Sequence, residues 1–439
     1  MAYDIVIGRT KEEVEKYGTK GTVFVGKTYV KVGPYTSLSN NLHLDMSNPH
    51  VMMICGKRGS GKSYSASVIA EEMARLPQEI KKNLSVLFFD TLGVFWTMKK
   101  PNTRQQDLLL EWGLKPEGME IDIYTPKGHF QNYKEAGIPT DYSFTIKTSE
   151  LTPSDWSSVF GVKLNEPLGI LIERAIGELM EKSDEFSIKD IINFIENDTK
   201  SKPEDKNAAI NRFLAADKWG LFEAHGTPIN ELIKPGKVTV LDISAYTESS
   251  GSWSIKGLVI GLISRKLLIE RISQRKKEEL ESMEKLGKMF LEQKDLESPM
   301  VWIMLDEAHE FLPKEGETPA SSALVQLLRE GRQPGISMVL VTQQPGEIHK
   351  DVLTQSDVIL SHRLTAKADI DALNQMMQSY LLADINTYLN ELPRLPGSAI
   401  ILDDKAERIY PMRIHPKRSW HGGEAPSALR EGKKPELKL

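Results

Sequence analysis

The sequence predicts an α/β protein: a largely parallel sheet, interrupted by a helical insertion and preceded by a small β element. Three observations point there. Two apolar runs, Leu84-Ser85-Val86-Leu87-Phe88-Phe89-Asp90 and Met300-Val301-Trp302-Ile303-Met304-Leu305-Asp306, end in carboxylates, and a third, Ser337–Thr342, ends in Gln343-Gln344. That is the pattern of strands buried on both faces, with their polar tips at one ligand edge. Gly56-Lys57-Arg58-Gly59-Ser60-Gly61-Lys62-Ser63 fills every fixed position of a G-x-x-x-x-G-K-[ST] phosphate-binding loop. It lies between the apolar strand Val51–Cys55 and a helix-patterned run from Tyr64 to Leu76 that Pro77 stops. From about residue 150 to residue 233 the apolar period becomes helical.

Taken in order, residues 1–46 hold short alternating stretches, Tyr3–Gly8, Thr22–Lys27 and Tyr29–Val32. Gly21, Gly33-Pro34 and Asn40-Asn41 separate them, so they read as strands of a small β element. Residues 47–149 carry the loop strand, the run to Asp90, a mixed stretch Thr91–Thr103, and short strands at Ile121–Tyr124 and Tyr142–Ile146. Residues 150–233 form the helical insertion. It opens on Thr152-Pro153-Ser154-Asp155, a helix start with a capping hydroxyl, a first-turn proline and an acid three residues on. Leu168, Leu171, Ile172, Ile176 and Leu179, then Ile188, Ile191, Ile192 and Ile195, mark its core faces.

Residues 234–416 resume the sheet. They hold a strand Lys237–Ser244 and a helix apolar from Leu258 to Ile272, charged from Arg275 to Lys294 and read there as a solvated face. The Asp306 strand, a helix over Ser321–Arg332, the Gln343 strand, Val358–Leu364, Ser398–Leu402 and Arg408–Ile414 follow. Residues 417–439, rich in Gly, Pro and Lys, read as an extended tail.

The 439 residues are 40% hydrophobic and 27% charged, which is ordinary soluble composition and enough chain for one large domain with insertions. The single cysteine, Cys55, sits at the end of a buried strand and reads as a small apolar residue in a reducing compartment. There is no signal core at the N-terminus and no run long enough to cross a bilayer, so a cytoplasmic protein without membrane attachment is expected. A net charge of −5 argues against a surface coated in basic patches. A ring can still concentrate positive charge in a channel while its outside stays acidic.

The chemistry follows from the loop. Its glycines let successive N–H groups point at anionic oxygens, and the helix behind adds its N-terminal partial charge. Gly56, Lys57, Arg58, Gly59, Ser60, Gly61, Lys62, Ser63 and Tyr64 are the candidate nucleotide-binding residues; Lys62 reaches the β- and γ-phosphates of ATP and Ser63 takes a place on Mg²⁺. Asp306 is the second metal residue, and Glu307 beside it is the base that orients and deprotonates the attacking water. Asp306-Glu307-Ala308-His309 spells DEAH, as in two-lobed helicases, yet too little chain follows for a second lobe. An arginine finger must then come from a neighbouring subunit, which argues for a ring.

With these motifs, the strand end at Asp90, Pro235-Gly236-Lys237 entering Thr239–Ser244, Arg329-Glu330-Gly331-Arg332, Thr342-Gln343-Gln344-Pro345 and Ser419-Trp420-His421-Gly422-Gly423, the chain resembles the HerA-type group of the HerA–FtsK class of P-loop ATPases over about residues 3 to 423. The resemblance implies a RecA-like sheet and a homohexamer that pumps double-stranded DNA, partnered by a NurA-like nuclease or a phage-defence effector. It makes Gln343 a catalytic sensor at its strand tip, Arg332 the first choice for a trans finger, Arg329 the second, and Arg363 a further sensor. His309 reads as a coupling residue between Glu307 and the next strand. Two departures stand out: the front β element is short for the family's barrel, and Gln344 stands where a basic residue is frequent. Lys99 and Lys100, with Arg104, read equally as DNA contacts lining a pore or as solvated charges. The rival function is a P-loop ATPase ring that acts on protein, or that serves as the regulatory scaffold of a defence nuclease. A nucleotide switch is a third, disfavoured by Glu307.

Overall fold

The structure is a computed structural model that describes residues 3–32, 35–247, 252–286, 298–377 and 385–423. Its strands are β1 (Ile5–Ile7), β2 (Thr22–Val32), β3 (Tyr35–Asp45), β4 (Val51–Cys55), β5 (Leu84–Asp90), β6 (Ile121–Pro126), β7 (Tyr142–Phe144), β8 (Ile146–Lys147), β9 (Phe222–Glu223), β10 (Val238–Asp242), β11 (Met300–Leu305), β12 (Ile336–Thr342), β13 (Val358–His362), β14 (Ser398–Asp403) and β15 (Arg408–Ile414). Among the described residues, all but β8 and β9 join one sheet in the order β1-β3-β2-β15-β14-β13-β4-β12-β11-β5-β10-β6-β7. From β13 to β7 every neighbouring pair is parallel. From β13 back through β14, β15 and β2 to β3 the pairs are antiparallel.

The parallel block is built from the runs that read as apolar, and β5 and β12 are buried along their whole length. The pleat sends alternate side chains to opposite faces. Val86, Phe88, Trp302 and Met304 enter the layer under the phosphate-loop helix (Lys62–Ala74) and the N-terminal strands. Leu87, Phe89, Ile303 and Leu305 enter the layer shared with the long helix Ser252–Leu286 and the insertion. Thr152 and Asp155 close the expected capping box at the first helix between β8 and β9, Pro153–Phe160. Leu171, Ile172, Ile176, Ile188, Ile191 and Ile195 are buried as their spacing requires, whereas Leu168, Leu179 and Ile192 are half-buried at the edge of that core.

Three expectations change. The N-terminal strands are continuous with the main sheet, since β2 pairs with β15 at Gly26↔Ile414. Asn40-Asn41 is no turn but the middle of β3, where Asn41 Nδ2 donates to Asp4 Oδ1 (3.0 Å) and Asn40 Oδ1 accepts from Tyr3 N (3.2 Å). The expected tail from residue 417 is not all tail, because Lys417 and Ser419 are fully buried against the phosphate-loop helix. Residues 424–439, and the part of the charged helical run beyond Leu286 up to Lys294, lie outside the described residues.

At the edge opposite the strand tips, His50 joins the two parts of the sheet. Its Nδ1 lies 2.8 Å from Asp357 Oδ2 and its Nε2 3.3 Å from Asp45 Oδ2, while Arg9 pairs with Asp45 at 2.7 Å. Burial alone would lower the imidazole pKa, but the hydrogen bonds to Asp357 and Asp45 overcome it and leave it raised.

Candidate active site

β4, β12 and β11 lie side by side, with Cys55 opposite Thr342 and Leu340 opposite Leu305. That register gathers the phosphate loop, Gln343 and the Asp306-Glu307 pair at one sheet edge. Gly56 turns the chain at φ 154°; a Cβ there would stand 2.5 Å from Ser60 Oγ and 2.7 Å from His362 Cβ, so only glycine fits. Lys57 N donates to Arg363 O (3.1 Å) and Ser60 N to Lys57 O (3.1 Å), which fixes the curl. Gly61 is the N-cap of the following helix and brings no capping side chain, so the first-turn amides are left for an anion.

Lys62 is buried and folds back over the loop, its Nζ donating to Lys57 O (3.2 Å). Burial lowers its pKa, and Glu307 and Asp306 oppose that. Ser63 Oγ donates to Asp306 Oδ2 (2.7 Å), linking the two motifs directly. Burial raises the Asp306 carboxyl against the pull of that bond. The donor set of a hydroxyl and a carboxylate fits a hard cation such as magnesium, which Ser63 and Asp306 would hold and which would neutralise charge on the β- and γ-phosphates.

Glu307 occupies left-handed backbone (φ 51°, ψ 45°), a strained state for a residue with a Cβ and one that recurs at functional sites. Gln343 Nε2 donates to Glu307 Oε1. The other oxygen, Oε2, is buried with no hydrogen-bond partner among the described residues. Burial raises the Glu307 pKa and the Gln343 bond opposes it. His309 Nδ1 stands 3.6 Å from Glu307 Oε2 and 3.3 Å from Thr342 Oγ1, between Glu307 and β12. Burial lowers its pKa, favouring the neutral ring.

The arginines separate clearly. Arg332 is exposed in the turn between helix Ser321–Glu330 and β12, with no side-chain partner among the described residues. The rise of β12 puts that turn about 20 Å from the tip at Gln343, so Arg332 is out of reach of its own site. Arg329 is held by Asp351 (Nε to Oδ2, 2.6 Å). Arg363 gives an N–H to Leu392 O (3.0 Å), and its backbone carbonyl accepts from Lys57 N of the loop. Among the pore candidates Lys99 is tied to Asp141 at 2.6 Å, Arg104 lies over the Trp420 ring at 4.5 Å, and Lys100 is exposed.

Sequence reasoning missed His362. It is fully buried beneath the loop, with Nε2 2.9 Å from Ser65 Oγ and Nδ1 3.1 Å from Ser398 O, and burial pushes its pKa down to about 4. It also missed the buried pair Asp90–Asp242, adjacent in register on β5 and β10. Asp90 accepts the N–H groups of Leu92, Gly93, Val94 and Phe95, shaping the loop after β5; burial and Asp242 push its pKa up to about 7. The polar tips of both runs were the available signal.

A strand between the phosphate loop and Asp306, carrying a glutamine that touches Glu307, suits hydrolysis and not mere retention of nucleotide. The chain is a P-loop ATPase with a mixed, mostly parallel sheet. A family model described as the central domain of helicase HerA matches residues 32–267, and one described as the HerA-like C-terminal region matches residues 280–403. The chain belongs to the HerA helicase family. It is similar to the DNA double-strand break repair helicase HerA of Sulfurisphaera tokodaii, at 23% identity over 97% of this chain and 75% of the relative. A probable DNA double-strand break repair helicase HerA of Methanocaldococcus jannaschii is 25% identical over 80% of this chain and 71% of that protein. In fold it resembles VirB4 of Thermoanaerobacter pseudethanolicus, with a TM-score of 0.54 at 12% identity over 90% of this chain and 96% of the other. Among the described residues no helix is long and apolar enough to cross a membrane.

Proposed function

We propose that the chain is one subunit of a cytoplasmic homohexameric ring that hydrolyses ATP with Mg²⁺ to move along double-stranded DNA, in company with a nuclease of the NurA kind or a defence effector. The observation that carries this is the split of the catalytic set: Glu307, Gln343, Asp306 and Lys62 meet at one sheet edge, while the one exposed arginine of Arg329-Glu330-Gly331-Arg332 without a side-chain partner among the described residues lies at the other. A neighbour in a ring can present that edge to the site.

In this reading the loop amides and Lys62 hold the β- and γ-phosphates. Glu307 Oε2 takes the proton of the attacking water as its oxygen bonds to the γ-phosphorus and the bond to the β-phosphate oxygen breaks. Gln343 holds the other carboxylate oxygen and so fixes where the base points. Arg332 from the next subunit stabilises the charge spreading over the transferred group. The relatives' names, which give DNA double-strand breaks as what those proteins repair, support duplex DNA as the track. The test is phosphate release with and without blunt duplex: hydrolysis should rise with duplex and vanish in Lys62→Ala. An active ring indifferent to duplex would favour the protein-directed reading.

A further inference from the structure

The Ser419–Gly423 stretch is the part of the family resemblance that hydrolysis does not use. After β15 the chain crosses the outer face of the phosphate-loop helix as a strap. Glu71, buried in that helix, accepts Arg418 N (2.9 Å), Ser419 N (3.0 Å) and the Ser419 hydroxyl. Trp420 N then donates to Lys100 O (2.7 Å), and Gly422 packs where a Cβ would meet Thr97 Cγ2 at 2.6 Å. The path is therefore fixed on both sides, and it brings the His421 ring edge-on to Tyr64, with centroids 5.2 Å apart and planes at 73°.

Tyr64 is equally fixed. Its hydroxyl donates to Gln105 Oε1 (2.9 Å) and accepts the amide N–H of Lys417. Tyr64 also directly follows Ser63, the residue bonded to Asp306. Lys62, Ser63 and Asp306 fix the γ end of a triphosphate, so its nucleoside end trails past the first turn of the helix, where these two rings stand. Both rings are half-buried, and Tyr64 also packs against the edge of the apolar layer under the loop helix.

We propose that Tyr64 and His421 form a shelf for the aromatic base of the nucleoside triphosphate, and that the strap sets the height of that shelf; this rests on the ATPase reading of the phosphate loop. Aromatic side chains held at fixed angles favour stacking on a planar base. Burial and Lys417 push the His421 pKa down to about 4, so the imidazole stays neutral and can stack as an uncharged ring.

The experiment measures affinity of the full chain for ATP and for inorganic tripolyphosphate, both with magnesium, in competition against a fluorescent ATP analogue. His421→Ala should weaken ATP by about tenfold, the upper range of one aromatic contact, and leave tripolyphosphate unchanged. His421→Phe should keep most of the ATP affinity. Unchanged ATP affinity in His421→Ala would overturn the proposal. So would an equal loss for both probes, since that would make the strap a support of the loop alone. A wild-type chain that binds neither probe would fail the ATPase reading itself, and the shelf with it.

Discussion

Glu307→Gln tests the base most sharply, because the structure says what the substitution keeps. The amide has the shape of the carboxylate, and its oxygen can still accept from Gln343 Nε2. What is lost is the acceptor for the proton of the water. General-base catalysis is worth about a hundredfold to ten-thousandfold, or roughly 2.7 to 5.4 kcal/mol at 1.36 kcal/mol per tenfold. Binding should not suffer. Glu307 is the first of the acids that favour charged Lys62, so removing it leaves the site more positive toward a polyanion. The expected result is an ATP Kd equal to or below that of wild type, with kcat down by at least about a hundredfold. Stopped-flow phosphate release gives the rate and a fluorescent ATP analogue gives the affinity. A kcat within about threefold of wild type would refute the assignment, and a large rise in Kd would mean Glu307 holds nucleotide instead.

Other outcomes follow from the same geometry. Arg332→Ala should bind ATP but lose about a thousandfold in hydrolysis; mixed with Glu307→Gln it should regain some activity, because some interfaces then carry both intact groups, and no regain in rings shown to exchange subunits would move the finger to Arg329. Lys99 and Lys100 should part company: Lys99→Glu sets a like charge against Asp141 and should lower the melting temperature, whereas Lys100→Glu should lower duplex affinity and its salt slope with basal hydrolysis kept, and equal effects of the two on DNA binding would contradict that division. His50 has a raised folded-state pKa, so its contribution to stability is whole below the ordinary histidine value and is lost as pH rises through the raised one. Melting temperature should therefore fall with pH across that window in wild type more than in His50→Gln, and parallel curves would show that His50 is not the linked group.

Much of this was legible in the chain because the strands at the site are buried on both faces. Such strands must be apolar throughout and can be polar only at their tips, so Asp90, Asp306 and Gln343 mark the edge in the sequence itself. The phosphate loop was legible for a steric reason, since Gly56 admits nothing larger. The front strands were less so: Asn40-Asn41 reads as a turn, but its side chains are taken up by Asp4 and Tyr3, a pairing that local sequence cannot announce. The strap was misread as tail because its anchor, Glu71, lies 348 positions from Ser419.

Movement along duplex DNA is the central claim, and displacement of a triplex-forming strand measures it directly. A labelled third strand is placed on a blunt duplex, away from its ends, and its release is followed after ATP and Mg²⁺ are added to the assembled protein. Release should require hydrolysis, appear after a lag that grows with the distance from the duplex end, and be absent in Glu307→Gln and with a non-hydrolysable analogue. Duplex-stimulated hydrolysis that leaves the third strand in place would contradict translocation.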